Sequence, residues 1–154
     1  MREAIGGTWL FGLVITFIVF FASFLAISVN YSKAFNVKNN VVDMLSKYEG
    51  NNACAREAIG NYLKSTGYLV DGYCPAGYDG YLQNGTKVTS GKSLYCIKTN
   101  TVNSSHTLNK KYYGVVVFFR IDLPAFGNLT TFRVIGESES IYYAVDDTLT
   151  TFTP

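Results

Sequence analysis

The stretch that decides the fold is Trp9–Val29, which reads WLFGLVITFIVFFASFLAISV. It is the dense part of a longer run, from Ala4 to Ser32, that carries no charged residue over 29 positions. A helix of that length extends roughly 43 Å, enough to cross the ~30 Å hydrocarbon core of a bilayer. Trp9 and Tyr31 bracket the dense part, as interfacial aromatic residues do. The sequence therefore predicts a single membrane-spanning helix.

Two other interpretations of this run stay open. A cleaved signal peptide has an apolar core of about 7–15 residues, shorter than this one, although Ala26-Ile27-Ser28 would suit a cleavage site. A helix buried in a soluble domain is the other alternative, although it seldom lacks charge over such a length.

The orientation of the helix rests on the residues that follow it. Positive charge does not place the N-terminus in the cytoplasm, because Arg2 precedes the run and Lys33, Lys38 and Lys47 follow it. The cysteines and the many tyrosines of the remainder favour a domain outside the cytoplasm. We therefore expect a cell-membrane protein with its N-terminus inside and its domain extracytoplasmic.

Small and polar residues recur on one side of the apolar helix. Their 4-3-4-3-4 spacing keeps them on one face, while phenylalanines occupy the others. Small residues let helix backbones approach closely where hydrophobic transfer gives no driving force. We therefore expect a helix-packing face, although small residues are also common in membrane helices generally. Its members are Gly12, Thr16, Val19, Ser23, Ala26 and Asn30.

The helix is predicted to continue beyond the membrane as an amphipathic stalk. Apolar residues recur at steps of three and four, no proline intervenes, and Gly50-Asn51-Asn52 is a suitable stop. The apolar stripe must be covered either by the protein's own domain or by neighbouring subunits. It comprises Tyr31, Ala34, Phe35, Val41, Val42, Leu45 and Tyr48.

A shorter helix and several strands are expected downstream. The helix should run from about Ala53 to Ser65, with Asn51 or Asn52 as its cap and Gly67 at its end. Strands are expected near 81–82 and over 93–98, 112–123, 129–135 and 140–145, with a polar loop over 100–111 and a connection over 124–128. In the 112–123 strand, one face should carry Val115, Val117, Phe119, Ile121 and Leu123.

These elements predict an α+β fold, in which a long N-terminal transmembrane and stalk helix packs on a small antiparallel β-sheet. Residues 1–50 would form the helix, and residues 51–154 the extracytoplasmic α+β domain.

The residues that carry chemistry are few. Cys54, Cys74, Cys96 and the single His106 lack the paired spacing of zinc ligands, so we expect no metal and no other cofactor. One disulfide and one free thiol are expected outside the cytoplasm, and Cys74–Cys96 is preferred among three connectivities because it would close the glycine- and tyrosine-rich loop. Three unpaired, partly buried thiols are the alternative.

The sequence offers no catalytic residues. His106 lies in a polar stretch without an orienting partner, so we expect no enzyme activity. The net charge of +2 gives no support to a nucleic-acid partner.

The layout of the chain resembles the pilin plan of an apolar helix, an amphipathic continuation and a small β domain. Residues 30–39, NYSKAFNVKN, are similar to the segment that follows the membrane helix in TadE/TadF-like proteins, the minor pilins or pseudopilins of tight-adherence pili. FFRIDLP at 118–124 and FRVIGES at 132–138 resemble their C-terminal strands. The resemblance implies a helix that polymerises, with membrane lipid and other pilin-like subunits as its partners.

One acidic residue departs from this pattern. Type IV prepilins carry a cleavage-site glycine and a glutamate five residues into the mature helix, whereas Glu3 precedes the apolar run. Cleavage after Gly7 would place Gly12 at the fifth position. Glu3 would either neutralise the N-terminal amine of a neighbouring subunit or remain a solvated charge at the headgroup level.

We therefore expect a structural subunit, a minor pilin or pseudopilin, of a bacterial surface filament or its assembly machinery. The alternative is a single-pass adhesion or binding protein that does not polymerise. A membrane-tethered hydrolase is a third class, but the sequence lacks acid–base partners for it.

Overall fold

The computed structural model describes residues 2–102, 108–123 and 127–144, and the side chains of residues 6–102, 110–120 and 131–141. In these ranges, two helices precede six strands. They are α1 (Arg2–Lys47), α2 (Ala53–Thr66), β1 (Asp79–Tyr81), β2 (Lys87–Val88), β3 (Tyr95–Val102), β4 (Leu108–Leu123), β5 (Gly127–Glu137) and β6 (Ile141–Ala144).

Helix α1 is continuous over 46 residues and has two different halves. The first half is exposed, whereas the second half buries one stripe against the sheet, at Ala34, Val37, Val41 and Leu45. The protein's own domain therefore covers the stalk, which settles the alternative left open by the sequence. The buried side differs from the predicted stripe: Val37 belongs to it, whereas Tyr31 and Phe35 are 49% and 41% exposed because they flank it.

Helix α2 has the predicted boundaries to within one residue. The Asn52 side chain accepts a hydrogen bond of 2.7 Å from the backbone N–H of Ala55, which caps the first turn. Gly67 ends the helix in the left-handed conformation, with a φ of 63° that few other residues adopt. The buried side of α2 carries Ala55, Ile59 and Leu63, which join the α1 stripe in one core.

The strands form one antiparallel sheet in the order β2-β1-β3-β4-β5, and β6 pairs with the beginning of β4. The α+β organisation is confirmed. The predicted loop over 100–111 is largely wrong, because β3 and β4 remain paired as far as Val102 and Lys110. Strand β5 also begins earlier than expected, at Gly127. His106 and residues 124–126 lie outside the described residues.

Both faces of β4 are buried, although the sequence predicted an alternation with one buried face. Val115, Val117 and Phe119 face the helices, as expected. On the opposite face, Val116 and Phe118 are also buried, and Val70, Cys74 and Tyr78 pack against them. The segment that follows α2 therefore covers the back of the sheet.

The second half of α1 packs into the core of the domain. Because Ala34, Val37, Val41 and Leu45 are core residues, the second half of α1 belongs structurally to the domain. A free stalk between the apolar run and the domain is not present.

Candidate membrane and helix-packing segment

The first half of α1 projects from the domain with its apolar side chains uncovered. Every residue from Gly6 to Ala22 is exposed, and Trp9 and Phe20 reach 75% and 67% exposure. Within the described residues, α1 is the one helix that is long and apolar enough to cross a membrane. Because this segment is not buried in the molecule, it is not the core helix of the domain. An exposed apolar surface of this extent marks a membrane or protein contact.

The N-terminal part of the predicted packing face is open to a neighbour. Gly12, Thr16 and Val19 are all exposed, and an added Cβ at Gly12 would meet no atom within 4 Å. A shallow groove runs along this side of the helix, with Gly12 between the larger side chains of Trp9 and Phe20. Another helix could approach this face closely.

The hydroxyl groups on this face are already satisfied within the helix. Thr16 Oγ1 donates a hydrogen bond of 2.9 Å to the Gly12 carbonyl, and Ser23 Oγ donates one of 2.8 Å to the Val19 carbonyl. Such bonds to the preceding turn let polar residues sit in an apolar medium, where an unsatisfied donor is costly. The face is therefore compatible with lipid before it finds any partner.

The C-terminal part of the predicted face has a different environment. Ser23, Ala26 and Asn30 are half-buried, and Ile27 packs against the domain core. Steps of three and four continue this line into the buried stripe that begins at Ala34. Three of the six predicted residues are thus exposed, and three are half-buried.

Strand β4 runs antiparallel to α1. In the first half of β4, Tyr113 lies against Gly50, which follows the C-terminal end of α1. Further along the strand, the Phe119 ring meets the Tyr31 ring edge-on, with centroids 5.7 Å apart. Strand β4 therefore runs along α1 from the C-terminal end of the helix towards the apolar run.

An aromatic cluster lies at the end of the described core, and it was not predicted from the sequence as a site. Tyr31 stacks with Phe35 at 6.3 Å, and Phe119 stacks with Phe132 at 5.3 Å. The Lys38 ammonium lies 4.2 Å from the centroid of the Phe35 ring. The available signal was the four-residue step between Tyr31 and Phe35, which places both rings on one flank of the helix.

The cysteines follow the preferred connectivity. Cys74 and Cys96 form a disulfide that joins the covering segment to β3, and Cys54 is free and half-buried. Glu3 belongs to α1, but its side chain lies outside the described residues.

The titratable groups of the described part of the chain include two carboxylates with cationic partners. No three His, Cys, Asp or Glu side chains described there come close enough to hold a metal ion. The Asp71 carboxylate lies 3.4 Å from Nη2 of Arg120 and 3.8 Å from Nζ of Lys92. The Asp79 carboxylate lies 2.9 Å from Nζ of Lys87. These carboxylates therefore have cationic partners at the surface.

The chain matches no protein-family model, no curated protein and no solved structure. The class of protein accordingly comes from the architecture: a small α+β domain built on one long apolar helix that is compatible with a single membrane span.

Proposed function

We propose that this chain is a structural subunit of a bacterial surface filament or of its assembly machinery, a minor pilin or pseudopilin of the TadE/TadF-like type. Its N-terminal helix would first lie in the membrane, with the domain outside the cytoplasm. It would then pack against the helices of other subunits. Membrane lipid and pilin-like subunits are the partners of this proposal.

The proposal rests on one observation. The first half of α1 is apolar and projects uncovered from the domain, whereas the second half is part of the domain core. Leaving the bilayer would expose side chains such as Trp9 and Phe20 to water, at about 25 cal/mol for each Å² of apolar surface. Burial against sister helices would remove that cost. Polymerisation is therefore a way for the helix to leave lipid.

The open part of the packing face supports close contact between such helices. Gly12 carries no side chain, and the Thr16 hydroxyl is bonded to the Gly12 carbonyl. Two helices can approach closely along small residues, so that dispersion contacts accumulate over the flanking phenylalanines. Glu3 would lie near the start of the bundle, where a charge needs a partner.

The test is to isolate surface filaments from cells that make this protein and to identify the chain in them by mass spectrometry. Gly12→Leu combined with Thr16→Leu should reduce incorporation strongly, since both changes add bulk to the open face. The amount of membrane-bound protein should stay constant, because the apolar character of the helix is kept.

Ser28→Leu is the matched control. It makes the same kind of small-to-large change at an exposed residue, roughly 160° around the helix from Gly12 at 3.6 residues per turn. Normal incorporation of this variant, beside loss in the Gly12 and Thr16 variant, would support a specific face. Equal incorporation of all variants would contradict it.

A second candidate function is a single-pass adhesion or binding protein that does not polymerise. It is favoured by the half-burial of Ser23, Ala26 and Asn30, which shortens the face left for neighbouring helices. Under this alternative the protein stays in the membrane fraction, and no filament contains it.

A further inference from the structure

We propose that the membrane-proximal end of the domain binds the phospholipid headgroup layer, and so holds the domain directly against the membrane. The inference rests on the part of the proposed function that places α1 in a bilayer, and does not require polymerisation. We call this surface the aromatic–basic end. It consists of Tyr31, Phe35, Lys38 and Phe132, together with Lys33 and Arg133, which lie at the same level but on the other side of α1 and of β5.

The position of the sheet along α1 gives the first argument. Phe119 meets Tyr31, and β4 then continues for four residues to Leu123, where it pairs with Gly127 of β5. Four strand residues extend about 13 Å, which corresponds to about nine residues of helix. The end of the sheet therefore lies beside the last turns of the apolar run.

The burial of α1 agrees with this position. Ser23, Ala26 and Ile27 are half-buried, although the residues before them are nearly all exposed. These three belong to the apolar run that would lie in lipid. If the apolar run lies in a bilayer, the end of the sheet at Leu123 and Gly127 has to lie at the bilayer surface. The reason is that no uncovered stalk separates the apolar run from the domain.

The exposed rings give the second argument. Tyr31 is 49% exposed, and Phe35 and Phe132 are each 41% exposed, so all three offer apolar surface at this end of the domain. Aromatic side chains concentrate at the boundary between lipid and water. The patch is also continuous with the apolar helix, since Phe24, two turns before Tyr31 on the same side of α1, is 60% exposed.

The charges give the third argument and identify the occupant. Lys33 and Arg133 are exposed, Lys38 is half-buried, and none of the three pairs with a carboxylate among the described side chains. Cations at this depth face lipid phosphates. A second copy of the same surface would bring like charges together, which disfavours a protein partner here.

Lys38 contacts both the sheet and an aromatic ring. Its alkyl chain crosses Gly136 of β5, where an added Cβ would collide with it, and its ammonium lies over the Phe35 ring. Gly136 thus lets a long cationic side chain lie flat between helix and sheet. This contact holds the Lys38 ammonium beside the Phe35 ring.

The experiment uses the full-length protein in vesicles of phosphatidylethanolamine and phosphatidylglycerol, with bromine on the acyl chains near the headgroup. Bromine quenches tryptophan fluorescence on contact, and Trp9 is the only tryptophan of the chain. Phe132→Trp in a Trp9→Phe background reports on the sheet. Tyr48→Trp in the same background is the control, because it lies about 26 Å from Tyr31 along α1.

We expect loss of fluorescence for Trp9 in the natural chain and for Phe132→Trp, and none for Tyr48→Trp. Adding Lys33→Gln and Arg133→Gln should reduce the quenching at Phe132→Trp but not at Trp9. Phe35→Trp provides a second reporter if Phe132→Trp does not fold, as judged by formation of the Cys74–Cys96 disulfide.

Two results would overturn the inference and differ in what they say about the proposed function. Quenching of Trp9 without quenching of Phe132→Trp and Phe35→Trp would place the helix in lipid and the domain away from it. Cross-linking of two copies through this surface would then identify a protein contact instead. No quenching of Trp9 would remove α1 from the bilayer, and both proposals would fail together.

Discussion

The hydroxyl group of Tyr68 binds both backbone groups of Phe118. It accepts a hydrogen bond of 2.8 Å from the Phe118 N–H and donates one to the Phe118 carbonyl. Strand β3 begins at Tyr95, opposite Val117, so that Phe118 lies just beyond the β3–β4 pairing. A side chain from the segment after α2 thus replaces a missing strand residue, and links the covering segment to the centre of the sheet.

Tyr68→Phe should destabilise the domain by about 1–3 kcal/mol, because it leaves a buried N–H and a buried carbonyl without a partner. The measurement is urea unfolding of the full-length protein in detergent micelles, followed by near-ultraviolet circular dichroism. The size of the ring is kept, so the loss reports the hydrogen bonds.

Tyr95→Phe is the control for this prediction. The Tyr95 side chain is fully buried, and its hydroxyl has no hydrogen-bond partner. Its removal should therefore be neutral or slightly stabilising. Equal losses of unfolding free energy in Tyr68→Phe and Tyr95→Phe would mean that the hydrogen bonds to Phe118 are not the source of the loss.

The stability of the domain should fall at high pH. Burial raises the pKa of both Tyr68 and Tyr95 above the ordinary value of about 10. For Tyr68 this effect outweighs the hydrogen bond at Phe118, which lowers the pKa. Above about pH 10 the unfolded chain loses these protons while the folded chain keeps them, so the stabilisation is complete below that pH and is lost above it.

The expected slope is about 1.4 kcal/mol per pH unit for each tyrosine. Urea midpoints between about pH 9 and about pH 11 measure it. The double variant Tyr68→Phe, Tyr95→Phe should show a shallower slope over this range. An unchanged slope would assign the alkaline loss to other groups.

The disulfide should contribute to stability by fixing the covering segment. Cys74 and Cys96 are 22 residues apart, and a loop of that size corresponds to about 3 kcal/mol in the chain-entropy estimate. Cys74→Ser combined with Cys96→Ser should therefore lower the free energy of unfolding by about that amount, measured by urea denaturation. It should also speed proteolysis of the covering segment.

Cys54→Ser provides the comparison for the disulfide, since Cys54 is free and lies on α2. It should have little effect under oxidising conditions. If Cys54→Ser and the double variant behaved alike, the disulfide would not be the source of the loss.

The elements with local signals were predictable from the sequence. The length of α1 followed from an uncharged run, the apolar steps after it and the stop at residues 50–52. The ends of α2 followed from Asn52 and Gly67, whose preferences depend on a few neighbouring atoms. The Cys74–Cys96 pair was preferred for the loop that it would close. Each of these inferences needed only residues close together in the chain.

The burial of the second face of β4 was not predictable in this way. Val116 and Phe118 are covered by residues about 40–50 positions earlier, in a segment without regular periodicity. The packing face shows a related limit. Small residues permit close approach by a helix or by a sheet, so the pattern at Ser23 and Ala26 did not reveal that these two residues are half-buried in the protein itself.

The contact between α2 and the β1–β2 turn gives the last prediction. Gly60 is buried in α2, and a Cβ there would collide with the carbonyl oxygen of Gln83. Helix propensity alone favours Gly60→Ala by about 1 kcal/mol. The collision with backbone should reverse the sign and give a net loss of about 1–3 kcal/mol in urea unfolding. Asn61→Ala, at an exposed neighbour, should be neutral or slightly stabilising. A stabilised Gly60→Ala variant would show that this turn moves away from α2 at little cost.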